Sequence, residues 1–268
     1  MNWPRGKIEN LVSRRGWELK RDFALAVEVG STMHGIAIEG TDDYDMTLVR
    51  LEGWHEFVNG PEKKQSVMIR TQPEGYRSRV GDSDLNVYTL RKFAGLLAKG
   101  NPSILAVMYS PNRWTGRYGW LDWEQLMKYT TSLRAGDSFL GYMRQQIERW
   151  TGQRGQKNVN RPELVEKYGF DTKYAGHAIR LGLQGQEYLR TGKIQLPMRE
   201  EARELILGVR TGEYDEADAL NLATLAEANL KRAYDESTLP RFANLDGVSM
   251  WLEENYGEHF ALEGYVPN

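Results

Sequence analysis

Two aspartates, Asp43 and Asp45, flank Tyr44, and Gly30-Ser31 closes the apolar run that precedes them. At the start of a strand, residues two apart point to one face, so Asp43 and Asp45 share a side and Tyr44 takes the other. Two carboxylates on one face can share a divalent ion. A third from a neighbouring strand makes a set suited to Mg2+, which takes oxygen ligands and keeps some of its waters; Mn2+ is the natural substitute. Asp84 opens the next clear strand, and alternation puts it on the open face, whereas Asp82 sits in the turn Gly81-Asp82-Ser83 and is the other candidate. A pair of such ions, roughly 3.5–4 Å apart, clamps the attacking and leaving oxygens of an in-line phosphoryl displacement. Gly30 lets the backbone approach a phosphate, successive N–H groups there suit a triphosphate, and the Ser31 hydroxyl adds a donor. Taken singly, Gly30-Ser31 reads equally as a strand-ending turn and Asp42-Asp43 as an acidic surface turn. Their order on two consecutive strands is what points to chemistry.

A second constellation lies far along the chain. Lys173, His177, Arg180 and Gln184 are spaced to share one face of a helix. Cations in one stripe are costly if buried unpaired, so the stripe is either solvated or faces an anion. Arg144, Arg149, Arg154 and Lys157 with Trp150 form another basic and aromatic group. It suits phosphate contact with base stacking, and equally an ordinary solvated loop. Trp114, Trp120 and Trp123 read as packing residues, and His55 has no evident partner.

The elements that must position these groups follow from apolar periodicity. A helix over 7–20 carries Ile8, Leu11, Val12 and Trp17 on one side. Strands are expected over 23–29, 45–51, about 66–70 and 84–88, the last with Leu85 and Val87 inward. The polar stretch 52–81, with Gly60-Pro61 and Gln72-Pro73, reads as an excursion between strands. A helix from Leu90 ends near Gly100, and Asn101-Pro102 opens another, with Asn as the cap and Pro at the first helical position. Helices are then expected over 121–131, 137–149, 162–167, 173–190, 199–210, 214–237 and 246–256. This predicts an α+β catalytic domain over 1–112, a small mixed sheet with flanking helices, packed on a helical substrate-binding domain over 113–268.

Composition narrows the class. The 268 residues are 40% hydrophobic and 27% charged, with 8 Trp and 14 Tyr, which suits a folded chain and not a disordered one. A net charge of −2 argues against a nucleic-acid coat protein while leaving room for a local basic patch. With 0 cysteines, disulfides, zinc–thiolate sites and thiol nucleophiles are excluded. No apolar run is long enough to span a bilayer and no secretory signal is visible, so no membrane partner and a cytoplasmic location are expected. Gly192-Lys193 is followed by Ile194 and is mis-spaced for a phosphate-binding P-loop.

Gly30-Ser31, Gly35 and Asp43-Tyr44-Asp45 resemble the core motif of the DNA polymerase β-like nucleotidyltransferase superfamily. More closely, the chain is similar to the predicted nucleotidyltransferases of the RNA repair pathway polymerase-β family. The run from Asp84 through Leu90-Arg91-Lys92-Phe93 to Asn101-Pro102 resembles that family's third-carboxylate strand and following helix. Phe139-Leu140-Gly141-Tyr142 with Gln146, the run from Tyr168 to Leu181, and Thr191-Gly192 with Leu196-Pro197 resemble its helical part. Ala106 and Val107 stand where such families carry an acidic residue, and His34 where an aromatic is common. The resemblance implies a polymerase β-like fold and transfer of a nucleoside monophosphate from an NTP, ATP among them, to an acceptor hydroxyl. Asp43, Asp45 and Asp84 would be the catalytic and metal-binding residues; Gly30, Ser31, Lys173, His177 and Arg180 would bind nucleotide. An RNA or tRNA end is the acceptor the family suggests, with protein and small-molecule acceptors open. An inactive nucleotide- or nucleic-acid-binding regulator with the same fold is the alternative.

Overall fold

Five strands form one sheet in the order β3–β4–β2–β1–β5: β1 (Phe23–Val29), β2 (Tyr44–Arg50), β3 (Ser66–Arg70), β4 (Ser83–Thr89) and β5 (Arg113–Thr115). The helices, in chain order, are α1 (Arg5–Ser13), α2 (Leu19–Asp22), α3 (Ser31–His34), α4 (Trp54–Asn59), α5 (Leu90–Ala98), α6 (Pro102–Tyr109), α7 (Trp123–Thr130), α8 (Arg134–Thr151), α9 (Pro162–Tyr168), α10 (Thr172–Thr191), α11 (Glu200–Thr211), α12 (Glu216–Glu236) and α13 (Leu245–Leu262). The computed structural model describes residues 5–40, 44–59, 65–73, 76, 81–152 and 161–265.

The chain forms two compact units that alternate along it. The first comprises 1–98, 110–130 and 244–268; the second comprises 99–109 and 131–243. The sequence boundary at 112/113 divides the chain once, whereas the observed units exchange chain four times. The sheet unit takes β5, α7 and α13 from beyond that boundary, and the helical unit takes α6 from before it.

In the sheet unit, β2 runs antiparallel to β1 and parallel to β4, and β3 and β5 pair antiparallel at the edges. One face is a dry layer. Met46, Leu48, Leu85, Val87 and Ala26 pack there against Ile8, Leu11 and Val12 of α1. The expected helix over 7–20 is broken in two, because Gly16 takes a left-handed φ of 75° and the amide of Trp17 turns back to Val12 O at 3.2 Å. On the other face α5 packs on β2 and β4. Phe93 of α5 meets Trp123 edge-on, with ring centroids 6.1 Å apart, and Trp123 meets Trp251 of α13 at 5.8 Å. The carboxylate of Glu52, almost fully buried, is held by Arg91 Nε at 2.9 Å and by the Tyr256 hydroxyl, so α13 closes this unit.

In the helical unit α10 is the central member, flanked by α8, α12 and α11. Its small residues let neighbours close in: a methyl group at Gly185 would lie 2.8 Å from the Phe139 side chain of α8. Asp171 caps α10 by accepting from the amides of Lys173 and Tyr174, both at 3.1 Å. Asn101 caps α6 as its sequence predicts, accepting from Ser103 N at 3.1 Å and Ile104 N at 3.2 Å. Among the described residues no helix is long and apolar enough to cross a membrane.

Candidate active site

The sheet register brings two of the predicted carboxylates together. Asp45 of β2 and Asp84 of β4 are direct partners across a parallel pair, and Val29 of β1 is the partner of Asp45 on the other side. A one-residue slip would send either aspartate to the opposite face, and the buried Met46–Leu85 pair next along the ladder fixes the register. Asp43 lies outside the described residues. Asp82 sits before β4, where its Oδ1 accepts from Thr71 Oγ1 at 3.0 Å and its carbonyl from Tyr44 N at 2.9 Å.

Gly30 ends β1 with φ 83° and ψ −156°, a conformation that L side chains avoid. It also needs to be bare: a methyl group there would lie 3.1 Å from Oδ2 of Asp45. The turn continues through the one-turn α3, where Gly35 N bonds Thr32 O at 3.0 Å and Ile36 N bonds Ser31 O at 3.0 Å. The Gly30-Ser31 turn and the Asp45 carboxylate are therefore in van der Waals range of each other.

Asp84 has partners that sequence reading missed. Arg70 of β3, its antiparallel register partner, donates from Nη2 to Oδ2 at 3.0 Å and from Nε to Oδ1 at 3.2 Å. Gln72 Nε2 adds a third bond to Oδ1 at 2.8 Å. The fork geometry is the strong form of an Arg–carboxylate pair, and Asp84 is only 14% exposed. The register of a short edge strand carries this pairing, and the sequence signal for that strand was limited to Ser66–Arg70 itself. Among the described residues no three His, Cys, Asp or Glu side chains gather as a metal-binding group. The donors present are carboxylate oxygens, one of them already engaging a cation in the form of Arg70, and this set fits a hard divalent ion.

The reverse face of the same sheet end holds a second, unpredicted polar group. Glu28, partnered with Met46 in the ladder, faces the side opposite Asp45. Burial pushes its carboxyl above the usual range. Tyr44 shares that side; burial first, then the Glu28 charge, raise its phenol. Its hydroxyl, like Ser83 Oγ, is buried without a hydrogen-bond partner among the described residues. A lone carboxylate in the run Phe23-Ala24-Leu25-Ala26-Val27-Glu28-Val29 was the available signal.

In the helical unit α10 does carry Lys173, His177, Arg180 and Gln184 along one stripe. Arg180 Nη1 donates to Gln184 Oε1 at 2.6 Å. Burial, and then the nearby Arg210 of α11, pull the Arg180 guanidinium down to about 10. His177 is held well below its usual range by burial, then by Arg180, Arg161, Lys173 and Arg149. The basic and aromatic group around Trp150 resolves differently from its members' spacing. Trp150 is fully buried, with Nε1 on Glu216 at 3.1 Å, so it is a packing residue. Arg144 pairs with Glu227 at 3.0 Å, Arg149 is exposed, and Arg154 and Lys157 lie outside the described residues.

A crystal structure of a nucleotidyltransferase-like protein from Exiguobacterium sibiricum matches with 12% identity and a TM-score of 0.30, over 94% of this chain and 80% of that one. No curated protein matches. The model of the RNA repair pathway DNA polymerase beta family matches residues 6–241 and so takes in the sheet, the Gly30 turn and the α10 stripe. That family supports nucleotidyl transfer, with nucleotides and nucleic acids as its substrate classes, on a mixed α+β fold with a polymerase β-like core. The chain belongs to the RNA repair pathway DNA polymerase beta family.

Proposed function

We propose that the protein transfers a nucleoside monophosphate from an NTP to an acceptor hydroxyl, an RNA end foremost, with release of pyrophosphate. The observation that carries this reading is the register of Asp45 on Asp84, with the bare Gly30 against the Asp45 carboxylate. Asp45 and Asp84, with Asp43, would hold two Mg2+ ions, or Mn2+ in their place. When bound, such an ion offsets negative charge building on the phosphoryl oxygens. Gly30 and Ser31 hold the β- and γ-phosphates through backbone N–H and hydroxyl donors. Lys173, His177 and Arg180 offer a phosphate-contacting face for donor or acceptor. The acceptor oxygen bonds to the α-phosphorus while the bond to the α,β-bridging oxygen breaks. Pyrophosphate leaves with the electron pair, and the hydroxyl proton passes to a carboxylate oxygen of Asp84.

The test is incubation with each labelled NTP, Mg2+ and a panel of RNA ends, comparing the parent with Asp43→Ala plus Asp45→Ala. The parent should label an acceptor and release pyrophosphate, and the double variant should do neither.

One observation favours a second reading, an NTP-binding protein without turnover: Arg70 and Gln72 already engage both oxygens of Asp84. A parent that binds NTP yet labels no acceptor and releases no pyrophosphate would establish it.

A further inference from the structure

The carboxylate face of the sheet continues past the aspartates. Residues two apart on a strand share a face, and register partners on neighbouring strands share it too. After the row of Asp45, Asp84 and Arg70 comes Thr47 of β2 with Asn86 of β4 and Met68 of β3, and then Val49 with Tyr88 and Ser66. Thr47 and Val49 are buried. Exposure rises from there toward the edge: Asn86 and Tyr88 are half-buried, Ser66 is exposed, and Met68 is 53% exposed. The opposite face of β3 and β4 is closed by buried Leu85, Val87 and Ile69. The two strands therefore present an open strip that begins at Asp84.

Rows on one strand face lie about 7 Å apart, two strand rises. A hydroxyl offered to the Asp84 carboxylate thus has the Asn86 amide on the next row. Among the described residues that amide makes no side-chain hydrogen bond. It carries donors and an acceptor, so it binds a hydroxyl in either sense. A carboxylate and an amide at this spacing can bracket two neighbouring hydroxyls, and a ribose end bears such a pair at its 3′ and 2′ positions. One exposed methionine says little by itself. Met68, however, is the register partner of Asn86, and a flexible thioether moulds itself to a flat apolar surface such as a base. The Tyr88 ring, one row further on, adds an aromatic surface of the kind on which bases stack.

We propose that Asn86 and Met68, with Tyr88 beyond them, form the acceptor strip of the site: Asn86 bonds the 2′-hydroxyl of a single-stranded RNA 3′ end, and Met68 packs on a base of that end. The proposal rests on the transferase reading, which brings the acceptor hydroxyl to Asp84. It makes Asn86 a positioning residue that distinguishes ribose from deoxyribose ends, since the 2′-hydroxyl is the group by which a protein tells the two apart.

The test uses two acceptors, an RNA oligonucleotide and the same oligonucleotide ending in a 2′-deoxynucleotide. Transfer from labelled NTP with Mg2+ is measured in the parent and in Asn86→Ala. Binding is measured by fluorescence anisotropy in EDTA, without turnover, on full-length Asp45→Asn alone and with Asn86→Ala or Met68→Glu added, each checked for folding by circular dichroism. We expect the parent to prefer the ribose end roughly tenfold, the worth of one hydrogen bond, and Asn86→Ala to lose that preference. Met68→Glu should weaken RNA binding roughly tenfold by setting a negative charge against the strand. The proposal is overturned if the parent treats both ends alike, if Asn86→Ala keeps the preference, or if Met68→Glu leaves RNA binding unchanged. A parent that transfers to neither acceptor counts against the transferase reading, and anisotropy then decides the strip alone: a ribose preference in binding that Asn86→Ala removes supports it, and equal binding of the two ends overturns it.

Discussion

The two units hold charge in opposite ways. In the sheet unit the described carboxylate Asp84 is already compensated, by the Arg70 fork and Gln72, and the sheet register aligns Asp45 beside it. In the helical unit the Arg180 guanidinium donates to a neutral amide, Gln184 Oε1, and burial with the nearby Arg210 pulls its pKa down. An acidic site with its own cation can be inspected and held rigid before any ligand arrives. An arginine held by an amide beside a second arginine carries repulsion that an anion would relieve. The lesson is that a ligand reaching Asp84 must displace a paired cation.

Substitutions can break this contrast, beginning with the largest effect. Asp84→Asn keeps the shape but removes the charge, and transfer should fall about a hundredfold or more while circular dichroism stays unchanged. Retained activity would move the third-carboxylate role to Asp82. Gly30→Ala imposes a side chain at φ 83° and 3.1 Å from Asp45 Oδ2. Urea unfolding should show a loss of about 1–3 kcal/mol, with a larger proportional loss in transfer than in stability. Arg70→Ala should leave Asp84 open and tighten Mg2+ or Mn2+ binding by roughly tenfold, read by calorimetry; weaker binding would mean that Arg70 positions Asp84 for the ion.

The smallest effect concerns pH. His177 is depressed below its ordinary value of 6.5, so on acidification the unfolded chain takes up this proton before the folded chain does. Its contribution is therefore complete above 6.5 and declines as pH falls below it. Urea midpoints at about pH 7 and about pH 5 should converge in His177→Gln relative to the parent. An unchanged acid limb in the variant would assign that loss to other groups.

Much of the fold was legible because local pattern and tertiary use agreed. Apolar runs gave β1, β2 and β4, and the Asn101-Pro102 cap and the long amphipathic helices stand where periodicity put them. The Trp150 face was missed, though its spacing carried the signal. Phe139, Met143, Gln146 and Trp150 recur at helical spacing, and all four are buried. What was not legible depends on distant partners. Arg70 looks like an ordinary charge in a short strand until register sets it opposite Asp84. Arg161 and Arg210 belong to separate elements, and only tertiary packing brings them to α10. Trp54–Asn59 was read as part of a polar excursion and is a helix, α4, whose Phe57 ring meets Tyr256 of α13 at a tilt, with centroids 4.7 Å apart. No spacing rule links residues so far apart in the chain.

The alternation of the two units has a consequence for how the protein is made. The sheet needs α13 to cover Phe57 and to supply the Tyr256 hydroxyl to buried Glu52, and α13 is synthesised after every segment of the helical unit. During translation the helical unit has all its segments, through 243, before the sheet unit has its closing helix. The helical unit is thus positioned to fold first, while the sheet waits with an apolar flank uncovered. A ribosome stalled shortly before Asn244 would expose a nascent chain with a completed basic unit and an unfinished acidic one.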